Sequence, residues 1–274
     1  MRRALAFRLC VMALAAPLLA GCGAAQRVDR VRTEFVALRY ITQANHLAST
    51  HPLDRPRVKQ CLDRAVALRP DEKEIVFRAV ELYVTIEDYD SALAQLDQIS
   101  TLTGETNSLL RGQCLLMTGK KAEGQALIYR AVQAAEAQAK LYGLNRQGFA
   151  NTLNSAGYTL ADAGLDLDTA GKMIEMAVQL EPLSPAFTDS LGWVLYRKGD
   201  HKRATFYLER AVRQTADRPD ATLYYHLGMV YGAQGKRFRA ERALGKALAI
   251  DPYNAQAADA LRRLRYELPQ LGRV

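Results

Sequence analysis

The stretch ATLYYHLGMVYGAQGKRFRAERALGKALAIDP, running from Ala221 to Pro252, decides the fold. Tyr224, Leu227, Gly228 and Tyr231 share one face of a first helix, and Ala240, Leu244 and Ala247 follow at helical spacing in a second. The large residues suit the seam between two antiparallel helices, Gly228 and Ala240 let the backbones approach, and Asp251-Pro252 stops the second helix and turns the chain. One such pair cannot bury its apolar face alone. Neighbouring pairs must therefore lie elsewhere in the chain.

They are visible on both sides. Gly157, Gly192 and Gly228 are spaced at close to one period, and so are Ala177, Ala211 and Ala247. Upstream, LLRGQCLLMTGKKAEGQALIYRAV places Gly112, Leu115, Gly119, Gly124, Ile128 and Ala131 at the matching small and large positions. Val76, Tyr83, Ala92, Leu96 and Ile99 make another pair, opened by capping-box spacing from Asp71 to Glu74. A degenerate first pair has Phe35, Leu38, Ile41 and Ala44 in one helix, starting near Val31, and Val58, Leu62, Ala65, Val66 and Leu68 in the next. From Gly112 to Gly157 the step exceeds the period by about ten residues, and the excess, VQAAEAQAKLYG, predicts a prolonged helix that splits the array. A last amphipathic helix from about Asn254 to Leu268 buries Ala257, Leu261 and Leu264 and turns Arg262, Arg263 and Arg265 outward, as a cap would.

The offsets of Tyr224, Leu227, Gly228 and Tyr231, with Ala240, Leu244 and Pro252 after them, resemble the tetratricopeptide repeat, with Tyr in place of Trp and Leu in place of Phe. The resemblance implies an all-α solenoid of about six antiparallel helix pairs. LNSAGYTLADAG followed by PAFTDSLGWVLYRKG, between Asn151 and about Val212, is similar to a variant of envelope repeat proteins that includes lipoprotein adaptors.

At the other end, Arg2, Arg3 and Arg8 precede an apolar run from Leu9 to Ala20 that is too short to span a bilayer, which reads as an export signal. The closing Leu19-Ala20-Gly21-Cys22 resembles the lipobox of bacterial lipoproteins, which implies acylation of Cys22 and a membrane anchor worth roughly 0.8 kcal/mol per buried methylene. Gly23 after the Cys, where Asp would resemble an inner-membrane retention signal, implies the periplasmic side of the outer membrane. The expected organisation is a signal over residues 1–21, a tether over 22–32, degenerate pairs over 33–145, and a regular array with its last helix over 146–268. Cys61 and Cys114 fall two pairs apart, too far for a disulfide, and read as small packing residues.

In the repeat family the first helix of each pair lines a concave wall at its second, fifth, ninth and twelfth positions. Carried over, this implies a groove lined by Asn151, Asn154, Tyr158, Asp189, Trp193, Tyr196, Tyr225 and Met229. Polar-tipped aromatics, amides and a Met suit an extended peptide or a partner helix. The carboxylate clamp of some family members needs cations and Asn where this chain has Phe77, Arg78 and Glu81, then Leu109, Leu110 and Gln113, so that clamp is absent. The net charge is +8, with acids concentrated from Asp71 to Glu105 and cations from Arg197 to Arg265. The basic half, with Arg262, Arg263 and Arg265, offers a face for anionic lipid or cell wall.

Nothing points to catalysis or a cofactor. The catalytic motifs H-E-x-x-H and G-x-S-x-G and a phosphate loop are all missing. His46, His51, His201 and His226 lie in separate segments and read as surface or packing residues rather than metal ligands. Asp162, Asp166 and Asp168 suit turn and cap duty better than a calcium loop. No nucleic-acid motif is visible. The sequence thus predicts a non-catalytic, lipid-anchored scaffold that holds a protein partner, with a pilus or secretion assembly factor and a structural lipid- or wall-binding protein as alternatives; the oligomeric state stays open.

Overall fold

Packing of apolar helix faces builds the fold. The computed structural model describes residues 22–104, 107–142 and 146–266, and there the chain forms thirteen helices and no strand. They are α1 (Cys22–Thr50), α2 (Arg55–Leu68), α3 (Lys73–Thr85), α4 (Tyr89–Thr103), α5 (Ser108–Met117), α6 (Lys121–Tyr142), α7 (Arg146–Asp162), α8 (Leu167–Leu180), α9 (Pro185–Arg197), α10 (His201–Gln214), α11 (Ala221–Ala233), α12 (Arg237–Ile250) and α13 (Ala255–Tyr266). Six pairs and a last helix match the expected array. The expected export signal, residues 1–21, lies outside the described residues.

The chain divides into two compact units, residues 1–106 and 107–274. In the first, α1 packs on α2 and α3, and α3 on α4. Its core holds Leu62, Val76, Tyr83, Leu96 and Ile99. Helix α1 starts at Cys22 rather than near Val31, so residues 22–32, expected to precede the first helix as a tether, are themselves helical. The good helix formers Ala24, Ala25, Gln26 and Arg27 explain the earlier start. The capping box expected at Asp71 and Glu74 does not form. Asp71 instead accepts from Arg69 Nε at 3.2 Å, and Glu72 stands at the N-cap without a side-chain bond to the helix's backbone N–H groups.

In the second unit the pairs α5/α6, α7/α8, α9/α10 and α11/α12 repeat one contact. A Cβ added to Gly228 would lie 2.7 Å from Leu244 Cγ, and one on Gly192 would lie 2.6 Å from Leu208 Cγ. Gly157 meets Ile174, and Gly112 meets Ile128, in the same way. Each small residue on a first helix thus receives a branched side chain from the second. The core runs through Leu160, Ile174, Val194, Leu208 and Val230, each stabilising by roughly 1.5–3 kcal/mol if fully buried. Ser184, Asp200 and Asp220 cap α9, α10 and α11 through side-chain oxygens that accept backbone N–H bonds, about 1 kcal/mol apiece. Asp166 does the same for α8, accepting from Thr169 N at 3.2 Å, as the DAGLDLD segment suggested.

The prolonged helix is present as α6, twenty-two residues long, yet the compact units divide before it, at residue 106. Helix α6 packs on both α5 and α7, which keeps it inside the second unit. At the far end α13 lays Ala257 and Leu261 over Leu244 and Ala247, closing the apolar face that α12 would otherwise expose. Cys61 and Cys114 are free and buried.

Candidate functional site

The wall under consideration belongs to the second unit and is built by the first helices α7, α9 and α11, which pack side by side. One repeat period separates equivalent positions. Asn154, Asp189 and Tyr225 therefore form one row, and Tyr158, Trp193 and Met229 the next.

These residues are not equally accessible. Asn151 is exposed, and Asn154, Tyr158, Tyr196, Tyr225 and Met229 are half-buried. Asp189 and Trp193 are only 5% and 4% exposed, so they support the wall from beneath. The partner that buries them is His226, itself 1% exposed and missed by the sequence reading as a site residue. Its Nδ1 donates to Asp189 Oδ2 at 2.8 Å, and its ring stacks on Trp193 with centroids 4.1 Å apart at 23°. Tyr225 and Tyr158 close around it, at 5.5 and 6.1 Å. Trp193 also meets Tyr196 at 5.0 Å and Tyr225 at 6.0 Å. Burial, then the carboxylates Asp162 and Asp189, pushes the Tyr158 phenol well above its ordinary range. Burial and Asp162 raise Tyr225 as well.

Arg197 fixes this cluster to the α7–α8 turn. Its guanidinium donates to the Asp162 carbonyl at 2.6 Å and lies 6.0 Å from the Trp193 ring centroid. Asp189 Oδ1, Trp193 Nε1 and Asn154 Oδ1 are buried and meet no hydrogen-bond partner among the described residues. They are two acceptors and one donor in neighbouring rows.

Beside the cluster opens a depression of about 420 Å³. Tyr196 of α9, Met229, Gly232 and Ala233 of α11, Leu244 of α12, and Ala260 and Leu264 of α13 line it. Arg263 lines it too. A residue assigned by sequence to an outward basic face thus shares a surface with two assigned to the groove. No single-helix pattern could have shown this, because α13 crosses α11 and α12 only in the folded unit. Arg262, Arg263 and Arg265 are all exposed, and the first two bond Asp259, Arg263 at 2.7 Å. Those bonds, led by the one from Arg262, hold the Asp259 carboxyl below the usual carboxylate range.

Among the described residues no group of three or more His, Cys, Asp or Glu could hold a metal ion, and no helix is long and apolar enough to cross a membrane. A depression lined by apolar groups, one tyrosine and a cation suits binding.

The helix pairs, with the small-to-large contact repeated in the four pairs of the second unit, define a tetratricopeptide-repeat fold. Residues 221–254 match the family model described as tetratricopeptide repeat. A stretch of 79 residues is 40% identical to the TPR repeat-containing protein PA4667 of Pseudomonas aeruginosa; it spans 29% of this chain and 13% of that relative's length. Among solved structures, a tetratricopeptide repeat protein from Parabacteroides merdae superimposes with a TM-score of 0.62 at 12% identity, covering 84% of each chain. The type IV pilus biogenesis factor PilW does so with a TM-score of 0.54 at 15% identity, over 82% of this chain and 98% of its own. At these identities the likeness is one of fold. The matched family model describes a repeat of helix pairs, not an enzymatic family.

Proposed function

We propose that this chain is a non-catalytic adaptor of the bacterial cell envelope, which holds a segment of a partner protein against the wall formed by α9, α11 and α13. The observation that carries this reading is the convergence of Tyr196, Met229 and Arg263 on one open depression. Apolar side chains, a tyrosine and a cation together suit a segment that offers an apolar side chain next to an acidic one. Asn151, Asn154, Tyr158 and Tyr225 extend the surface, with Asp189 and Trp193 holding its shape.

The lipobox-like Leu19-Ala20-Gly21-Cys22 supports anchoring through an acylated Cys22, on the periplasmic side of the outer membrane. With α1 starting at Cys22, the anchor would pass directly into helix. An assembly factor for a pilus or secretion complex is a second reading, supported by the fold shared with PilW and by nothing finer.

The test is a cross-linked pull-down from membranes, comparing the intact chain with Tyr196→Ala/Met229→Ala and with Arg263→Glu. The variants are first shown to be folded by circular dichroism. A partner recovered with the parent and lost with both variants supports the groove; identical recovery from all three overturns it. Acylation is tested separately, by incorporation of labelled fatty acid that should vanish in Cys22→Ser.

A further inference from the structure

The outer face of α12 is charged differently from that of its counterpart α10 one repeat earlier. On α10, Lys202 is exposed without an ion pair among the described residues, but the other two exposed cations are compensated: Arg203 faces Asp200 at 3.8 Å and Glu175 at 4.0 Å, and Arg213 faces Glu209 at 3.6 Å. On α12 the exposed stripe at helical spacing contains Phe238, Arg239, Arg242, Lys246 and Ile250. None of its three cations makes an ion pair among the described residues. Arg239 lies over the Tyr231 ring at 5.8 Å and interacts with its phenol, and Lys246 lies over the Tyr224 ring at 5.1 Å; these are neutral partners. The acid of this helix, Glu241, is held by Arg237 at 3.1 Å, off the stripe. Phe238 is 87% exposed at the amino end of the stripe, and Ile250 is exposed at the other.

From this arrangement we infer that the outer face of α12 is a docking surface for an anionic phospholipid membrane, with Phe238 entering the headgroup region and Arg239, Arg242 and Lys246 engaging lipid phosphates. The argument is charge complementarity combined with shape. A protein interface buries on the order of 800 Å² per partner around a packed apolar centre. Here the centre of the stripe is cationic and the apolar groups stand at its two ends. That order suits a helix lying in the interfacial plane, where cations meet phosphates and an aromatic ring sits among the headgroups. The surface is separate from the depression that Tyr196 and Met229 line, so the inference stands or falls independently of the groove.

The test uses the full chain with Phe238→Trp and vesicles whose acyl chains carry bromine, a short-range quencher of indole emission. Because position 238 is solvent-exposed, the substitution leaves the core untouched, and Trp193, being buried, supplies a reference signal in the parent. Vesicles of phosphatidylcholine mixed with phosphatidylglycerol should quench the emission of Phe238→Trp, phosphatidylcholine alone should not, and the parent should remain unquenched in both. Adding Arg239→Glu and Arg242→Glu should weaken the response by roughly tenfold or more, since each juxtamembrane cation contributes a several-fold gain. The inference is overturned by no quenching in mixed vesicles, by equal quenching in neutral ones, or by quenching that survives charge reversal. Loss of partner capture in Tyr196→Ala/Met229→Ala with this quenching intact would leave the membrane face standing alone.

Discussion

His226 on α11 and Asp189 on α9, 37 residues apart in the chain, share a 2.8 Å hydrogen bond in the interior of the second unit. The bond links successive repeats through the two side chains that are both buried and ionisable in this seam. Removing one partner leaves the other buried without compensation. His226→Ala should therefore cost about 3 kcal/mol in urea unfolding, and Asp189→Leu a similar amount. Combining Asp189→Leu with His226→Phe should cost less than the sum of the single changes by about 1 kcal/mol or more. Strict additivity would mean that the pair contributes nothing as a pair.

The small residue of each first helix carries a second expectation. Gly228→Ala would place a methyl 2.7 Å from Leu244 Cγ, inside a filled seam, and should destabilise by about 1–3 kcal/mol. Gly245 on α12 has nothing within 4 Å of its would-be Cβ. Gly245→Ala should therefore stabilise by about 0.5–1 kcal/mol through helix propensity alone. Thermal unfolding of the two variants should move in opposite directions, and movement in the same direction would refute the packing argument.

Local periodicity accounts for what could be read beforehand. Gly157, Gly192 and Gly228 each announce a helix seam within their own pair, so pair number, order and the last helix were legible. The start of α1 was not, because residues 22–32 carry no apolar stripe and only the propensity of their Ala, Gln and Arg residues favours helix. The candidate site was half legible as a surface. Position within a repeat identified the rows containing Tyr196 and Met229, but it could not show that Trp193 is buried under His226. It also could not place Arg263 at the depression. Both facts depend on how one helix meets another, which a single-helix pattern does not encode.

Thiol chemistry offers a check on the interior of both units. Cys114 is fully buried, and burial pushes its thiol up to about 11; Cys61 is raised for the same reason. Only the thiolate reacts, so both should resist iodoacetamide at neutral pH in the native chain and react readily in denaturant. Peptide mapping after alkylation reads each site separately. Rapid labelling of Cys114 under native conditions would contradict its burial.

Arg69 links the chemistry of the first unit to pH. Its side chain is 4% exposed, donates to the Arg30 carbonyl at 3.2 Å, and meets Glu72 at 2.9 Å and Asp71 at 3.2 Å. The bond from Arg69 holds the Asp71 carboxyl below its ordinary range. A folded-state value below the unfolded one means that the stabilisation is present above the unfolded value, about 3.9, and is lost as pH falls through the folded one. Arg69→Met removes the partner, so its deficit relative to the parent should be largest near neutrality, about 1–3 kcal/mol, and should shrink once Asp71 is protonated. Hydrogen-exchange protection of α2 and α3, compared between parent and variant from about pH 7 to about pH 2, measures that difference. A deficit that stays constant into the acid range would show that Arg69 acts through its carbonyl bond and packing, with no contribution from Asp71.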